Sequence, residues 1–232
     1  MMKGKSRSIR DMFGGIAGKY DLMNRLMTFG QDQVWRRWVA RMAHPPQGGR
    51  LLDAGTGTGR IGQEVLQSYP KTMVTGSDFS LEMMAVGKRR QNGAGMFWCA
   101  GDALHLPFKD ESFDVVTSGY LMRNVSDAAA AFSEQIRVLK PGGRVVCLDT
   151  SPPPDTLLRP LVEFFLTHII PLLGQIISRN RSAYTYLPES TKAFYTPSAL
   201  AAVMRRGGLV NISHRKFMLG TIAVHVGSKP EA

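Results

Sequence analysis

The sequence predicts an α/β fold of the Rossmann-like kind, a mostly parallel sheet with helices on both faces. Three observations carry this. Short apolar runs alternate with stretches of helical spacing through the middle third of the chain. The first run leads straight into a glycine-rich turn, LLDAGTGTGR at 51–60. An aspartate (Asp53, Asp78, Asp102) stands at the end of each of the first three runs. With 232 residues, 44% of them hydrophobic, the chain fits one domain with a sizeable core.

Each element has its own justification. RLLDA is a short buried strand, and GRIGQEVLQSY is a helix with Ile61, Val65 and Leu66 on one side. TMVTGSD is a second strand. SLEMMAVGKRRQ follows as a helix with Ser80 as its N-cap. MFWCAGD and SFDVVTSGY give the third and fourth strands, SDAAAAFSEQIRVL a helix and GRVVCLDT the fifth strand, with the turn KPGG (140–143) between the last two. Right-handed crossovers put the strand ends on one edge, where such sheets bind ligands. Upstream, QDQVWRRWVARMA is a helix packing Val34, Trp35, Trp38, Val39 and Met42 on the core, with Arg36, Arg37 and Arg41 on a solvated basic face. The expected organisation is a helical cap over 1–48, a ligand-binding core over 49–150, an apolar lid over 151–195, and a C-terminal helix and strands over 196–232.

The glycine turn narrows the ligand. Its spacing is G-x-G-x-G, from Gly55 through Gly57 to Gly59. A dinucleotide fingerprint would need glycine at position 60, which is Arg60, and no G-K-[ST] follows, so a P-loop is excluded. Asp53, two residues before the glycines, suits a cationic amino group better than a pyrophosphate. Asp78 can accept two ribose hydroxyls and Asp102 an adenine amino group. One aspartate at a strand end is commonly a turn cap. Three in succession around one glycine turn fit S-adenosylmethionine (SAM), which carries an ammonium, a carboxylate and a sulfonium but no phosphate. The fold class is then that of the class I SAM-dependent methyltransferases.

Longer stretches point the same way. MFGGIAGKYDLMNRLMTFGQDQVWRRW, DALHLPFKDESFDVV, MRNVSD, IRVLKPGGRVVCLD, YTYLPES and IAVHVGSKP resemble the UbiE family of quinone-biosynthesis C-methyltransferases over nearly the whole chain. The resemblance implies methylation, with SAM, of a ring carbon of demethylmenaquinol or a ubiquinone precursor. It also implies cofactor contacts at Thr58, Asp78 and the Asp102–Ala103 pair. Where the family often has a serine, this chain has Gly119 with Ser118 beside it, and LDTSPPP replaces a pattern nearer LEFSKP.

A ring carbon becomes nucleophilic when a neighbouring hydroxyl loses its proton, so the site must align the ring and stabilise a phenolate. Arg123 and Asn124 follow the fourth strand, where the methyl should emerge. Arg123 is the expected oxyanion stabiliser, Asn124 a holder of a hydroxyl or water, and Tyr20 of KYDLMN a cover for the site.

Charge and hydropathy suggest where the substrate lies. The net charge is +11, and its excess sits in the flanks: residues 1–50 hold ten Lys/Arg against three Asp/Glu, residues 151–232 nine against four. Such flanks suit an anionic surface. LLRPLVEFFLTHIIPLLGQII, 157–177, is long enough to approach a membrane span. Arg159, Pro160, Glu163, His168, Pro171 and Gly174 interrupt it, so it reads as a lid or groove for an isoprenoid tail. His168 is placed to face a quinol hydroxyl, while His225 reads as structural. The basic start MMKGKSRSIR lacks a following apolar stretch, and Cys99 and Cys147 read as buried thiols. The expectation is a cytoplasmic protein held peripherally on anionic membrane, with no metal and no nucleic acid; a homodimer is compatible. An RNA methyltransferase and a SAM-binding protein without catalysis are the competing classes.

Overall fold

The computed structural model describes residues 2–90, 93–178 and 181–231. Three helices open the chain: α1 (Met2–Ile16), α2 (Tyr20–Met27) and α3 (Asp32–Ala43). The core alternates β1 (Arg50–Ala54), α4 (Arg60–Ser68), β2 (Met73–Asp78), α5 (Leu81–Lys88), β3 (Phe97–Ala100), β4 (Phe113–Gly119), α6 (Ala128–Val138) and β5 (Leu139–Thr150). The seven-stranded sheet has the order β3-β2-β1-β4-β5-β7-β6. The first five strands are parallel; β6 (Val210–Phe217) and β7 (Ile222–Ser228) close the edge antiparallel. The strand order reverses between β1 and β4, so the glycine turn after β1 and the loop after β4 face each other across the crevice.

Local chemistry explains the boundaries. Ser80 caps α5 by accepting the Met83 N–H, and Asp127 caps α6 by accepting those of Ala129 and Ala130. One core, with Leu52, Val116, Phe132 and Leu139, is built of residues from β1, β4, α6 and β5. A second joins Trp35 and Val39 of α3 to Leu51, Val74, Val146 and Val224. Burying a side chain such as Val39 contributes about 1.5–3 kcal/mol, which fixes α3 to the sheet.

Three expectations need correction. KPGG does not separate helix from strand: α6 ends at Val138 and β5 starts at Leu139, with a register shift and Gly142 at φ +71° inside the strand. The Gly142 N–H bonds the Lys229 carbonyl, so the bend stays in the sheet. On α3, Val34 is exposed and Arg36 is buried, so the apolar stripe is rotated relative to the expected one. Cys99 is only half-buried, because β3 is the sheet edge.

The lid is helical from Arg159 to Ser178, straight through Pro171 and Gly174. α7 (Arg159–Phe164) and α8 (Ile170–Leu173) alternate with π turns at Phe165–Ile169 and Gly174–Ser178. The widened turn before Pro171 accommodates a residue with no N–H and a ring that crowds the preceding turn. Gly174 lets the Tyr184 side chain pack directly on the backbone. Helix α9 (Arg181–Lys192) returns over the lid, and α10 (Pro197–Arg206) leads to the last two strands. The run Arg159–Ile177 is long and apolar enough to cross a membrane, with only 22% of its most apolar window buried.

Candidate active site

The glycines are required by backbone and packing together. Gly55, Gly57 and Gly59 have φ of +65°, +55° and +75°, the left-handed region that costs other residues about 1–2 kcal/mol. A Cβ on Gly55 would lie 2.7 Å from Leu121 Cδ1, and one on Gly59 would lie 2.5 Å from Trp98 Cη2. Gly55 and Gly57 line the cleft, whereas Gly59 caps α4 and serves packing.

The cleft has two halves that share Tyr20, Gly55, Gly57, Gly119 and Tyr120. One half is walled by Phe13, Phe79, Met83 and Leu121, with Asp78 and Asn124 as its polar groups. It fits a flat aromatic base and a ribose diol. Asp78 accepts the Gly57 N–H at 2.7 Å and the Ser80 N–H at 2.8 Å, one on each oxygen. Each oxygen keeps a second lone pair for a hydroxyl. Burial raises the Asp78 pKa, opposed by those N–H bonds. The other half is polar, lined by Asp21, Asn24, Arg36, Asp53, Thr58 and Arg60.

Asp53 lines this polar half but is committed. Its carboxylate accepts Thr56 Oγ1 at 2.6 Å, Thr117 Oγ1 at 3.0 Å and the Gly62 N–H at 3.3 Å. Burial is the largest influence on it and pushes its pKa up to about 6 against those bonds. Asp53 therefore ties the glycine turn to β4 and α4. The Thr58 hydroxyl is also spent, donating to Asp21 Oδ1 at 3.0 Å. Asp21 pairs with Arg90 and, at 3.5 Å, with Arg60, which pins α2 across the turn.

The remaining cofactor residues read from the sequence do not gather there. Asp102 is exposed, lies two residues beyond β3, and accepts the Leu104 N–H at 2.9 Å in a local turn. Ala103 packs against the main core instead. Ser118 is fully buried within β4, and Gly119 is the residue facing the cleft, where a Cβ would strike Ile61 at 2.5 Å.

A third space adjoins the cleft. It is a largely apolar chamber, walled by Met27, Phe165, Leu166, Ile170, Leu187 and Ile222. Asn24 and Tyr120 line both this chamber and the polar half of the cleft, so the two spaces meet there. Tyr120 sits at φ +56°, an unusual backbone for an aromatic residue and of the kind that clusters at functional sites. The Tyr120 N–H bonds the Leu148 carbonyl and its own carbonyl accepts Asn124 Nδ2 at 2.6 Å, which holds the residue in place.

Arg123 and Asn124 part company here. Arg123 lines the chamber, stands over the Tyr120 ring at 5.4 Å, and pairs with Asp149 at 3.8 Å. Its side chain is 7% exposed, and its Nη1 is buried without a hydrogen-bond partner. Asn124 faces the half of the cleft that holds Asp78 instead, where its Oδ1 is buried and unpartnered. Tyr20 lines both cleft halves, as a cover should; burial raises its pKa, with nearby Arg123 opposing. His168 does not reach the chamber: it is exposed and stacks on Phe164 at 4.8 Å. Arg36, expected in solvent, is buried in the cleft wall and paired with Asp32 at 2.7 Å.

Sequence reasoning missed Tyr120, Asp149, Asp21 and Arg36. Only Arg36 left a usable trace, an aspartate four residues earlier on the same helix.

Comparison with known proteins agrees with this fold. The solved structure of a Thermotoga maritima SAM-dependent methyltransferase, described as a possible histamine N-methyltransferase, superposes with a TM-score of 0.68 at 20% identity, covering 94% of this chain and 99% of that one. A phosphoethanolamine N-methyltransferase from Haemonchus contortus, solved with S-adenosylhomocysteine, gives 0.62 at 19% identity over 85% of this chain and 52% of that one. At such identities these show the fold. Sequence relatives are nearer. The ubiquinone/menaquinone biosynthesis C-methyltransferase UbiE of Desulfotalea psychrophila is 49% identical over 97% of this chain and 92% of that protein. The demethylmenaquinone methyltransferase of Roseiflexus castenholzii is 43% identical over 97% and 94%. The family model of the ubiE/COQ5 methyltransferases matches residues 1–229. With the family model matched over nearly the whole chain and relatives this similar along almost their full length, the chain belongs to the ubiE/COQ5 methyltransferase family.

Proposed function

We propose that the protein methylates a ring carbon of a lipid quinol, with SAM as methyl donor and demethylmenaquinol as substrate. The observation that carries this is the junction at Tyr120. There the apolar chamber meets the cofactor cleft, with the buried Arg123 guanidinium facing the chamber. Bound SAM would supply an electrophilic methyl group at the shared boundary.

The chain's own residues do the rest. Tyr120 and Asn24 form the wall against which the ring is aligned, and positioning alone can remove much of the barrier. Arg123 offers an unpartnered Nη1 to the ring oxygen as it becomes anionic, in apolar surroundings where that charge acts strongly. Asp149, 1% exposed at the end of β5, orients the guanidinium. Asn124 acts at one remove, by holding the Tyr120 carbonyl. Only a quinol has a hydroxyl to deprotonate. Methyl transfer from labelled SAM should therefore proceed with pre-reduced demethylmenaquinol and fail with the oxidised quinone. Equal rates with both, or transfer to RNA in place of quinol, would refute the reading.

The lid's outer face supports attachment to an anionic membrane on the cytoplasmic side. Leu157, Leu161, Phe164, Leu172 and Ile176 are exposed along it. Phe29, 74% exposed, stacks on Phe165 and joins α2 to the same face. A long isoprenoid tail on a ring held at this junction would leave through the lid toward lipid. Arg25 is exposed on α2 beside this face, whereas Arg159 on the lid is already paired with Glu163 at 3.0 Å and Asp155 at 3.4 Å. Co-sedimentation with anionic vesicles should fall with salt, since such attraction is screened over roughly 8 Å at physiological ionic strength. Equal binding to neutral vesicles at every salt concentration would count against it.

A further inference from the structure

The half of the cleft opposite Asp78 holds four charged side chains, Asp21, Arg36, Asp53 and Arg60. A nucleoside whose diol rests on Asp78 must send its other substituent past Gly55 and Gly57 into that half, since those glycines line both sides. In SAM that substituent ends in an α-amino acid, with a carboxylate to be neutralised. Of the two cations present, Arg36 is already held by Asp32 at 2.7 Å. Arg60 is held less firmly: among the described residues its one ion pair is with Asp21, at 3.5 Å, where Arg90 competes for the same oxygen. Its Nε is buried and makes no hydrogen bond. It is also the first residue of the nine-residue α4, where the helix end adds positive potential. Of the two carboxylates, Asp53 already serves three donors, and Asp21 accepts the Thr58 hydroxyl and pairs with Arg90.

Building on the SAM reading above, we propose that Arg60 binds the carboxylate of the donor's amino-acid end and so selects ligands that carry it. The residue breaks the dinucleotide fingerprint in sequence and gives the turn a different selectivity.

The test compares two ligands that share the adenosine. S-adenosylhomocysteine carries the amino acid; 5′-methylthioadenosine lacks it. Calorimetry on the full-length protein should show Arg60→Gln weakening S-adenosylhomocysteine by about tenfold or more, the scale of a charged hydrogen bond. Methylthioadenosine should change less than about twofold on the same scale, which also shows that the cleft is still folded. Arg60→Lys should restore much of the loss. Equal weakening of both ligands, or none of S-adenosylhomocysteine, would overturn the assignment. A wild-type protein that binds neither ligand would overturn the SAM reading itself, and Arg60 with it.

Discussion

Replacing Arg123 removes two things at once, and they can be measured apart. The guanidinium is 7% exposed and its partner carboxylate, Asp149, is 1% exposed. Arg123→Ala leaves that carboxylate buried without its counter-charge, a change that typically costs about 3–5 kcal/mol of stability. Backbone N–H bonds from Thr150 and residue 123 itself survive, so the loss should fall near about 3 kcal/mol on that scale. Catalysis loses a stabiliser of the developing oxyanion, about 2.7–4 kcal/mol, or a hundredfold to a thousandfold in rate. A single variant mixes the two losses. Arg123→Met combined with Asp149→Asn removes the stranded charge and keeps the volume, so urea unfolding should return to within about 1–2 kcal/mol of the parent. Single-turnover methylation of pre-reduced quinol should stay as slow as in Arg123→Ala. A double variant that regains both stability and rate would make Arg123 a structural residue. An Arg123→Ala enzyme of normal rate would refute the mechanism outright.

Three further outcomes follow from the geometry. Asp78→Ala should weaken SAM binding in calorimetry by about 1.5–3 kcal/mol, while Asp102→Ala, whose carboxylate is exposed and serves a local turn, should cost less. Burial, more than the neighbouring His214, lowers the His225 pKa to about 4, so this ring contributes stability that is full above pH 6.5 and lost as pH falls toward 4, about 3 kcal/mol in all. His225→Asn should remove that component, read as a smaller difference between urea midpoints at about pH 4.5 and pH 7. Asp53, pushed up to about 6, has the opposite sign and is left unchanged by that substitution. Gly59→Ala should lower the melting temperature through at least about 1 kcal/mol of backbone strain plus the contact with Trp98, and an unchanged melting curve would contradict the left-handed turn.

The parallel strands are legible because each contains an apolar run bounded by turn residues, and the position of Asp78 beside the glycine turn because it stands at a strand end. What could not be read depends on three-dimensional neighbours. An aspartate before a glycine turn looks available for a ligand; only the fold shows Thr56, Gly62 and Thr117 around Asp53. Tyr120 carries no motif, since its importance comes from a left-handed backbone where two cavities meet. Arg123 and Asn124, adjacent in sequence, are expected at one place on the sheet edge, but successive residues of the loop after β4 point into different spaces. His168 was misplaced for a similar reason: its helical face could not be read through a segment whose period changes twice.

That change of period bears on how the lid can vary in length. A π turn is an α-helix carrying one additional residue, with the distortion confined to a single turn. Losing one residue within 165–169 would restore regular winding and leave Leu161 and Leu172 where they stand. The same loss inside α9 would swing every later side chain by about 100°. Insertions and deletions between lids of this design should therefore fall at the two π turns, and a single-residue deletion there should preserve both the chamber wall and the exposed face.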